Sequence, residues 1–307
     1  MPQEVFIPED IEKIIFNNAL EFRKKYSSNY YISQIQSTIN SWKVTNELNI
    51  FKKFNPSNYK KIKYLEIGVG QGFNLINSLK DDYDIVGIEP GNSLGFEGRY
   101  QLCYDLMKAN NIQNIQNKLF EAVAEDLPFK DETFDFVFSI AVLEHVSDIE
   151  KALKEANRVL KKGGIMYMNI PNYNSYFEGH YGVFWLPYIF MSKSIAKLYI
   201  RLRGIDNSYI DELNFTTPNN ITKAAQKVLT GNSFKCYPHI GGFLSIFGLI
   251  YFAINTNTMQ EHKIIRIMNK SRTMNLFGRM LSTLIVKSYI FLGFAKTFNF
   301  IYFRGNN

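Results

Sequence analysis

Short apolar runs rich in β-branched residues alternate with longer amphipathic segments through the middle of the 307-residue chain. Strands of a sheet that is covered on both faces have this appearance, because neither face requires polar side chains. The segments between the runs repeat apolar residues three and four positions apart, as a helix with one buried face does. The predicted strands lie at residues 62–67, 84–88, 118–123, 134–140 and 165–170, and the clearest predicted helices at 93–109 and 149–160.

Strands that alternate with helices form βαβ units, so this order predicts an α/β fold with a doubly wound, mostly parallel sheet. Residues 1–60 are predicted to be a helical N-terminal extension, in which Pro8-Glu9-Asp10 starts a helix that runs to Tyr26. Residues 61–240 are predicted to be the core. Residues 241–307 are predicted to be an apolar, basic helical insertion followed by the last strand.

The helix predicted at 149–160 has signals at both ends. Ser147 and Glu150 have the spacing of a capping box, in which the serine accepts a backbone hydrogen bond and the glutamate reaches back. The run Lys161-Lys162-Gly163-Gly164 places cations at the negative helix end and then glycine for a left-handed turn. We therefore expect the helix to end there and the next strand to begin at Ile165.

Three alternating glycines follow the first predicted strand, in the order Glu66-Ile-Gly68-Val-Gly70-Gln-Gly72. Glycine lets the backbone turn tightly and approach a ligand, because no Cβ stands in the way. A dinucleotide-binding loop would have its last glycine where this chain has the bulky Phe73, which argues against an NAD-type oxidoreductase without removing that alternative. The loop by itself also fits an ordinary turn between a strand and a helix.

Glu89 directly follows the second predicted strand. A carboxylate at this place can accept hydrogen bonds from both hydroxyls of a ribose. It supports a ligand that contains adenosine, without identifying the ligand. The alternative is an exposed loop glutamate.

Four further motifs follow the loop in order: Ala124-Glu-Asp-Leu-Pro-Phe129, Phe134-Asp-Phe-Val-Phe-Ser139, Val142-Leu-Glu-His145 and Leu160-Lys-Lys-Gly-Gly164. Together with the loop, residues 64–171 resemble the class I S-adenosylmethionine-dependent methyltransferases, in the subgroup that includes ubiquinone- and glycan-biosynthesis enzymes. The resemblance implies a Rossmann-like methyltransferase fold of seven strands. The sixth strand is then expected at residues 234–239 and an antiparallel seventh at 299–304.

In that family, Glu66 and Gly68 would hold the methionine end of the cofactor S-adenosyl-L-methionine. Gly70 and Gly72 would let the nucleoside approach, and Glu89 would bind the ribose.

The adenine site is expected around Ala124 and Glu125. Where the family often has an aspartate that contacts the adenine amino group, this chain has Val123. Adenine would then be held by backbone groups, by Glu125 or by Asp126.

Methyl transfer requires alignment, exclusion of water and, for a hydroxyl acceptor, removal of a proton. It requires no metal, and we expect none. Candidates for the base lie near the carboxyl ends of the strands: His145 after the fourth strand, and Glu178 and His180 after the fifth. The structural alternatives are a helix-entry residue for His145 and a connecting loop for the other two. We expect His239 and His262 to serve structure.

Enzymes that methylate nucleobase amino groups usually have an acid or asparagine, two prolines and an aromatic residue after the fourth strand. This chain has Ser139-Ile-Ala-Val142 there. This argues for an O- or C-methyltransferase of small or lipid-linked acceptors. We expect methyl transfer to a hydroxyl of a glycan, lipid or other small biosynthetic precursor. The alternative to an enzyme is a non-catalytic partner protein of the same fold in a biosynthetic complex.

The charge is uneven along the chain. Residues 1–189 hold 20 basic and 24 acidic residues, a net −4, whereas residues 190–307 hold 15 and 4, a net +11. Leu276–Phe294 is apolar with interspersed cations, as expected of a helix on an anionic membrane surface, or alternatively of a lid or dimer helix. Phe243–Ile254 is too short to span a bilayer. We expect an anionic acceptor or membrane rather than nucleic acid.

Two distant cysteines, Cys103 and Cys236, show neither a disulfide framework nor metal-ligand spacing. Residues 1–10 show no secretory signal. These features predict a cytoplasmic protein, with peripheral contact at the inner membrane face as the extension of that prediction. They leave the oligomeric state open.

Overall fold

The computed structural model describes residues 4–27, 32–48, 59–91, 98–187, 189–190, 192–229, 234–238, 250, 271–291 and 295–305. The helices are α1 (Glu9–Tyr26), α2 (Ile32–Val44), α3 (Phe73–Lys80), α4 (Arg99–Ala109), α5 (Ile149–Val159), α6 (Lys193–Leu202), α7 (Pro218–Val228) and α8 (Arg272–Phe291). The strands are β1 (Lys63–Ile67), β2 (Asp84–Glu89), β3 (Leu119–Glu121), β4 (Phe134–Ile140), β5 (Leu160–Pro171), β6 (Phe177–Glu178), β7 (Val183–Phe184), β8 (Phe234–Pro238) and β9 (Thr297–Phe303).

Seven of these strands form one sheet in the order β3-β2-β1-β4-β5-β9-β8. The pairs from β3 to β5 are parallel, and β9 runs antiparallel between β5 and β8. The order reverses on either side of β1 and β4, which is the switch point where ligands bind in open α/β sheets. The predicted doubly wound, mostly parallel seven-stranded fold is confirmed.

Each face of the sheet is covered by its own hydrophobic cluster. On one face α1, α2, α3 and α4 contribute to a cluster with residues such as Tyr64 and Phe136. On the other face α5 and α7 pack with Leu65, Val137 and Phe300. Neighbouring residues along a strand point to opposite faces, which is why Tyr64 and Leu65 belong to different clusters. This burial on both faces explains the continuous apolar runs in the sequence.

A third cluster lies beyond the end of β5 and is strongly aromatic. It combines the segment around the short β6–β7 hairpin with α6 and the turn at residues 208–210. Trp185 is fully buried there and donates its indole N–H to the carbonyl of Tyr173 at 3.0 Å. The cluster fixes the segment that follows β5 beside the carboxyl ends of the strands.

The start of α5 differs from the predicted capping box. Asp148, not Ser147, caps the helix, and its side chain accepts a hydrogen bond from the backbone N–H of Lys151 at 3.0 Å. The Ser147 hydroxyl instead donates to Glu125 at 2.8 Å. Because the buried carboxylate of Glu125 binds the serine hydroxyl, the next residue, Asp148, caps the helix with its own side-chain oxygen.

Residues 161–164, which were predicted to form a turn, lie inside β5 and interrupt its pairing with β4. Phe134 pairs with Leu160 and Phe136 with Ile165, so extra residues of β5 bulge out between the two pairs. Gly163 adopts the predicted left-handed conformation, with φ 76°. Its N–H bonds the carbonyl of Arg304 at 2.9 Å, which anchors the bulge to the end of β9.

Several predicted boundaries fall at the limits of the described residues. The helix expected at 93–109 begins at Arg99, one residue after the described chain resumes at Gly98. The stretches at 243–254 and 255–270, together with His239 and His262, lie outside the described residues apart from Ile250. The apolar stretch that begins at Leu276 belongs to helix α8.

Candidate active site

The glycine loop (residues 66–72) joins β1 to α3 at the switch point. Gly68, Gly70 and Gly72 all have positive φ, at 75°, 58° and 86°, so the loop requires glycine for its backbone conformation. The N–H groups of Gly68 and Val69 bond the carbonyl of Ile88 at 2.9 and 3.0 Å, which holds the loop against the end of β2.

The three glycines have different surroundings. A Cβ on Gly68 would lie 2.5 Å from Cγ2 of Val142, and one on Gly72 would collide with Sγ of Cys103. A Cβ on Gly70 would meet nothing within 4 Å. Gly68 and Gly72 therefore allow close packing, and their contacts with the cofactor stay predictions, whereas Gly70 leaves open space on the side where a Cβ would lie.

Glu89 is buried at the end of β2 and faces this loop. Its Oε2 accepts a hydrogen bond from the N–H of Gly70 at 2.8 Å. Burial raises the pKa of Glu89, while the bond from Gly70 and the charge of Arg99 lower it in part. One carboxylate oxygen thus fixes the loop, and the other can receive hydroxyl groups from a ligand.

Glu66 is a buried acid on β1 next to the same loop. Among the residues that the structure describes, its Oε2 has no hydrogen-bond partner. Burial raises the pKa of Glu66 to about 8, and the neighbouring Asn74 offsets only part of this. A buried carboxylate with an unsatisfied oxygen is expected to be paired by a cation, and a ligand with an ammonium group would supply one.

The open space at Gly70, the carboxylate of Glu89 and the unsatisfied oxygen of Glu66 all lie where β1 and β2 end. A ribose suits Glu89, and the ammonium group at the methionine end of S-adenosylmethionine suits Glu66. The residues present therefore fit this cofactor.

The residues predicted to hold adenine have other contacts. Glu125 is buried, and its Oε1 accepts from Ser147 N–H at 2.6 Å, Ser147 Oγ at 2.8 Å and Asp148 N–H at 3.2 Å. Asp126 is exposed and donates its N–H to Val123 at 3.2 Å. Glu125 therefore ties the loop after β3 to the start of α5, and adenine contacts by either acid stay a prediction.

The segment after β4 passes directly beside the glycine loop. Ala141 turns the chain in the left-handed region, at φ 52°, a conformation that residues with a Cβ rarely adopt. Val142 then packs on Gly68, and Glu144 and His145 follow. The side chain of Asn214 holds the turn by donating to the carbonyls of Leu143 and Val146 at 3.3 and 2.6 Å.

His145 meets the segment that follows β5 in what we call the histidine cluster, formed by Glu144, His145, Glu178 and His180. The two imidazole rings lie edge to face with their centres 5.3 Å apart. Nε2 of His145 is 3.8 Å from Oε1 of Glu144. Nδ1 of His180 is 2.7 Å from Oε1 of Glu178. Two of the predicted catalytic residues, far apart in sequence, are thus neighbours in space.

Glu178 has both carboxylate oxygens engaged. Oε1 contacts His180, and Oε2 accepts from the N–H of Tyr181 at 2.6 Å. Tyr173 places its hydroxyl 3.3 Å from the same Nδ1 of His180. Glu178 is therefore placed to orient His180, while its role as a base stays a prediction.

Electrostatics separate the two histidines. Burial, the His180 charge and the Arg99 charge together lower the pKa of His145 to about 3, so its ring is neutral at pH 7. Burial lowers the pKa of His180 as well, but the bond to Glu178 and the charges of Glu178 and Glu144 raise it above its usual value on balance.

The sequence motifs did not reveal one member of this cluster, Glu144, and one charged neighbour, Arg99. Glu144 stands in the quoted motif before His145 but was given no role, although it is fully buried and its burial raises its pKa to about 7. Arg99 lies at the start of α4 and influences the pKa of both Glu89 and His145. The adjacent acid in the motif was a usable signal for Glu144, whereas no local pattern marked Arg99.

Comparison with known proteins adds to this geometry. Residues 65–168 match a family model described as a methyltransferase domain. The chain is 31% identical over 110 residues to 2-methyl-6-phytyl-1,4-hydroquinone methyltransferase 2 of Oryza sativa, a match over 36% of this chain and 29% of that protein. It is equally identical over 110 residues to a putative methyltransferase of Bacillus subtilis, covering 35% of this chain and 57% of that protein.

Each match thus spans less than two thirds of the relative's length. Among solved structures, a putative sarcosine dimethylglycine methyltransferase of Galdieria sulphuraria aligns over 97% of this chain and 99% of that chain, with 12% identity and a TM-score of 0.48.

The family match covers β1 through most of β5, which includes the glycine loop, Glu89 and His145. The sheet order, the loop conformation and the buried acids agree with it. Residues 65–168 are therefore a class I S-adenosylmethionine-dependent methyltransferase domain.

Proposed function

We propose that this chain transfers a methyl group from S-adenosylmethionine to a hydroxyl of a glycan, lipid or other small biosynthetic precursor. The observation that carries the proposal is the side-by-side placement of the glycine loop and the histidine cluster through the contact of Val142 with Gly68. The first feature suits the cofactor. The second supplies polar groups where an acceptor would lie.

The chain's part in cofactor binding follows from its buried acids. Glu89 would accept the ribose hydroxyls, Gly70 would let the nucleoside approach, and Glu66 would pair with the ammonium group at the methionine end. S-adenosylmethionine would supply an electrophilic methyl group for the acceptor oxygen.

The histidine cluster is the place where the acceptor hydroxyl loses its proton. Of the two histidines, His180 is the stronger base, because burial lowers its pKa less than Glu178 and Glu144 raise it, whereas burial lowers the pKa of His145 to about 3. The side chain of His180 is 20% exposed, within reach of a small molecule, and the ring of His145 lies against it. Removal of a proton by a well-placed group contributes about 10²–10⁴-fold to a rate.

Aromatic side chains flank the cluster and favour an acceptor with an apolar part. The ring of Tyr209 lies 6.2 Å from that of His145 and 5.5 Å from that of His180, measured between ring centres. Apolar walls with a few polar groups are typical of small-molecule sites. The rice relative is named for a hydroquinone that carries a phytyl chain, which is in keeping with a lipid-like acceptor.

We also propose that helix α8 contacts an anionic membrane surface. Four of its side chains, Leu276, Phe277, Met280 and Leu284, share one face and are 60–65% exposed, whereas Ser282 and Val286 on the opposite face are buried. Within the described residues no helix combines the length and hydropathy that crossing a bilayer requires. An exposed apolar face with nearby cations can lie in the interface between lipid and water.

Labelled methyl transfer into fractionated cell extracts tests the activity. We expect label in a glycan or lipid fraction. Label in RNA or DNA would contradict the acceptor class, and no incorporation into any fraction, with intact cofactor binding, would favour a non-catalytic partner protein.

Flotation with liposomes tests the membrane contact. The chain should float with anionic vesicles at low salt, and a Leu276→Ser and Phe277→Ser variant should not. Equal behaviour of the two proteins would assign the exposed face of α8 to another role.

A further inference from the structure

We propose that the histidine cluster is a binding site for a divalent transition metal, best suited to Zn²⁺, with Glu144, His145 and His180 as its three protein ligands. Each residue offers one ligand atom, and the three atoms lie within 4.8 Å of one another. Sequence reasoning expected no metal, because methyl transfer in general requires none.

The state of Glu144 is the first independent support. Its side chain is completely buried, and among the described residues neither of its carboxylate oxygens has a hydrogen-bond partner. An ionised carboxylate left without partners in the protein interior is strongly unfavourable. A cation bound by Glu144 would give this carboxylate the partner that it lacks.

The orientation of His180 is the second support. Its Nδ1 is 2.7 Å from Oε1 of Glu178, so a proton on Nδ1 is donated to that carboxylate and the lone pair of Nε2 is left for a metal. Histidines that bind metals characteristically donate their other ring N–H to a carboxylate, which fixes both the tautomer and the ring. Glu178 is itself fixed by the N–H of Tyr181.

The ligand set indicates which metal fits. Two imidazoles and one glutamate are the protein ligands of several catalytic zinc sites, in which further positions stay open for water or substrate. Oε1 of Glu144 and Nε2 of His145 are 3.8 Å apart, close to the ~3.4 Å between two ligands of a tetrahedral zinc ion. The second buried acid, Glu178, adds negative charge that balances a divalent cation.

This inference deepens the proposed function and, as far as its role in catalysis goes, rests on it. A hydroxyl oxygen bound at an open position of the metal has a lowered pKa and loses its proton to solvent near neutral pH. The cluster would then activate the acceptor through the metal and not by acting as a free base.

Zinc binding to the purified 307-residue chain tests the proposal. After removal of metal by a chelator, we expect one equivalent of Zn²⁺ to bind in a competition titration. Glu144→Gln and His180→Ala should each weaken binding by about 100-fold or more, and Glu178→Gln by about 10–100-fold, because it orients a ligand without being one. Tyr173→Phe is the matched control and should bind within about threefold of the wild type, because Glu178 still holds His180.

Substitution of Co²⁺ provides a second readout that needs no variant. We expect visible bands of a nitrogen- and oxygen-ligated ion and, in proton NMR, paramagnetically shifted imidazole signals from two histidines. A sulfur-to-metal charge-transfer band would place the metal on a cysteine and overturn the proposal. Absence of zinc binding by the folded wild type, or unchanged binding in both ligand variants, would also overturn it.

The proposed function can fail separately. If methyl incorporation persists after metal removal, the cluster acts without metal and the methyltransferase assignment stands. If zinc binds as expected but S-adenosylmethionine does not, the site exists without the proposed activity.

Discussion

The glycine loop and the histidine cluster are neighbours in space but are built in different ways. The loop and Glu89 come from one βαβ unit of the chain, residues 63–89, and are held by backbone hydrogen bonds between adjacent parallel strands. The cluster brings together residues 144–145 and 178–180 from two different loops, with Asn214 and Tyr209 behind them. A binding loop made by one local unit leaves a readable sequence motif, whereas a cluster made by several segments does not.

If the glycine loop and the histidine cluster are separate sites, a change in the cluster should affect turnover and leave cofactor binding intact. His180→Ala should lower the rate of methyl transfer by about 10²–10⁴-fold, because the acceptor hydroxyl would keep its proton. The affinity for S-adenosylmethionine should stay within about threefold, since the glycine loop is untouched. Single-turnover kinetics and calorimetry measure the two quantities.

The matched control for His180→Ala is Phe184→Ala. Phe184 is exposed on β7, in the hairpin that also contains Glu178. Its substitution disturbs the hairpin without removing a group of the histidine cluster. We expect near-normal turnover. A His180→Ala protein that loses turnover and cofactor affinity equally would mean that the two regions are not separate sites.

Glu89→Ala should act on the other region. Loss of a buried carboxylate that accepts two ribose hydroxyls is expected to raise the dissociation constant for S-adenosylmethionine by about 100-fold, or about 2.7 kcal/mol. Calorimetry measures this effect. Glu121→Ala is the control, because Glu121 pairs with Glu89 in the register of β2 and β3 but is exposed. Unchanged affinity of Glu89→Ala would remove the ribose assignment.

The glycines of the loop should respond unequally to alanine. Gly72→Ala combines a φ of 86° with a collision against Cys103 and should lower the free energy of unfolding by about 2–3 kcal/mol. Gly70→Ala has only the strain of a positive φ and should lower it by about 1 kcal/mol. Urea denaturation measures both.

The second substitution Cys103→Ala should recover part of the loss in Gly72→Ala and none in Gly70→Ala. Equal losses in the two glycine variants would mean that the packing of Gly72 on Cys103 is unimportant.

The smallest expected effect is the contribution of Glu66 to the pH dependence of the free energy of unfolding. Its pKa is about 8 in the folded chain and about 4.5 in the unfolded chain, so folding keeps a proton that the unfolded state releases. Its contribution therefore makes the ligand-free protein less stable as the pH rises between 4.5 and 8, by about 1 kcal/mol from pH 6 to pH 7.

Urea denaturation at these two pH values measures this slope, and Glu66→Gln should reduce it. A slope that Glu66→Gln leaves unchanged would show that other groups cause it. Bound S-adenosylmethionine should also reduce the slope, because a cationic ligand favours the ionised carboxylate.

Local patterns were sufficient for most of the fold. The strand predicted at 134–140 has the same bounds in the structure. The local preference of its apolar and aromatic residues for extended backbone is sufficient to define it. Helix α7 likewise begins at a local signal, because Thr217 and Asn220 form its capping box and Pro218 is its first residue. The box predicted at Ser147 failed because the competing carboxylate of Glu125 comes from 22 residues earlier in the chain.

The sequence by itself therefore determined the alternation of strands and helices, the glycine loop with its left-handed residues, and the acid at the end of β2. These depend on residues within one turn, one strand or one βαβ unit. Only the tertiary structure decided that His145 lies against His180, that Glu178 orients His180, and that Glu144 is buried without a hydrogen-bond partner among the described residues. The reason is physical: the parallel pairing of β4 with β5 and the packing of the aromatic cluster bring together loops whose separation in sequence carries no periodic signal.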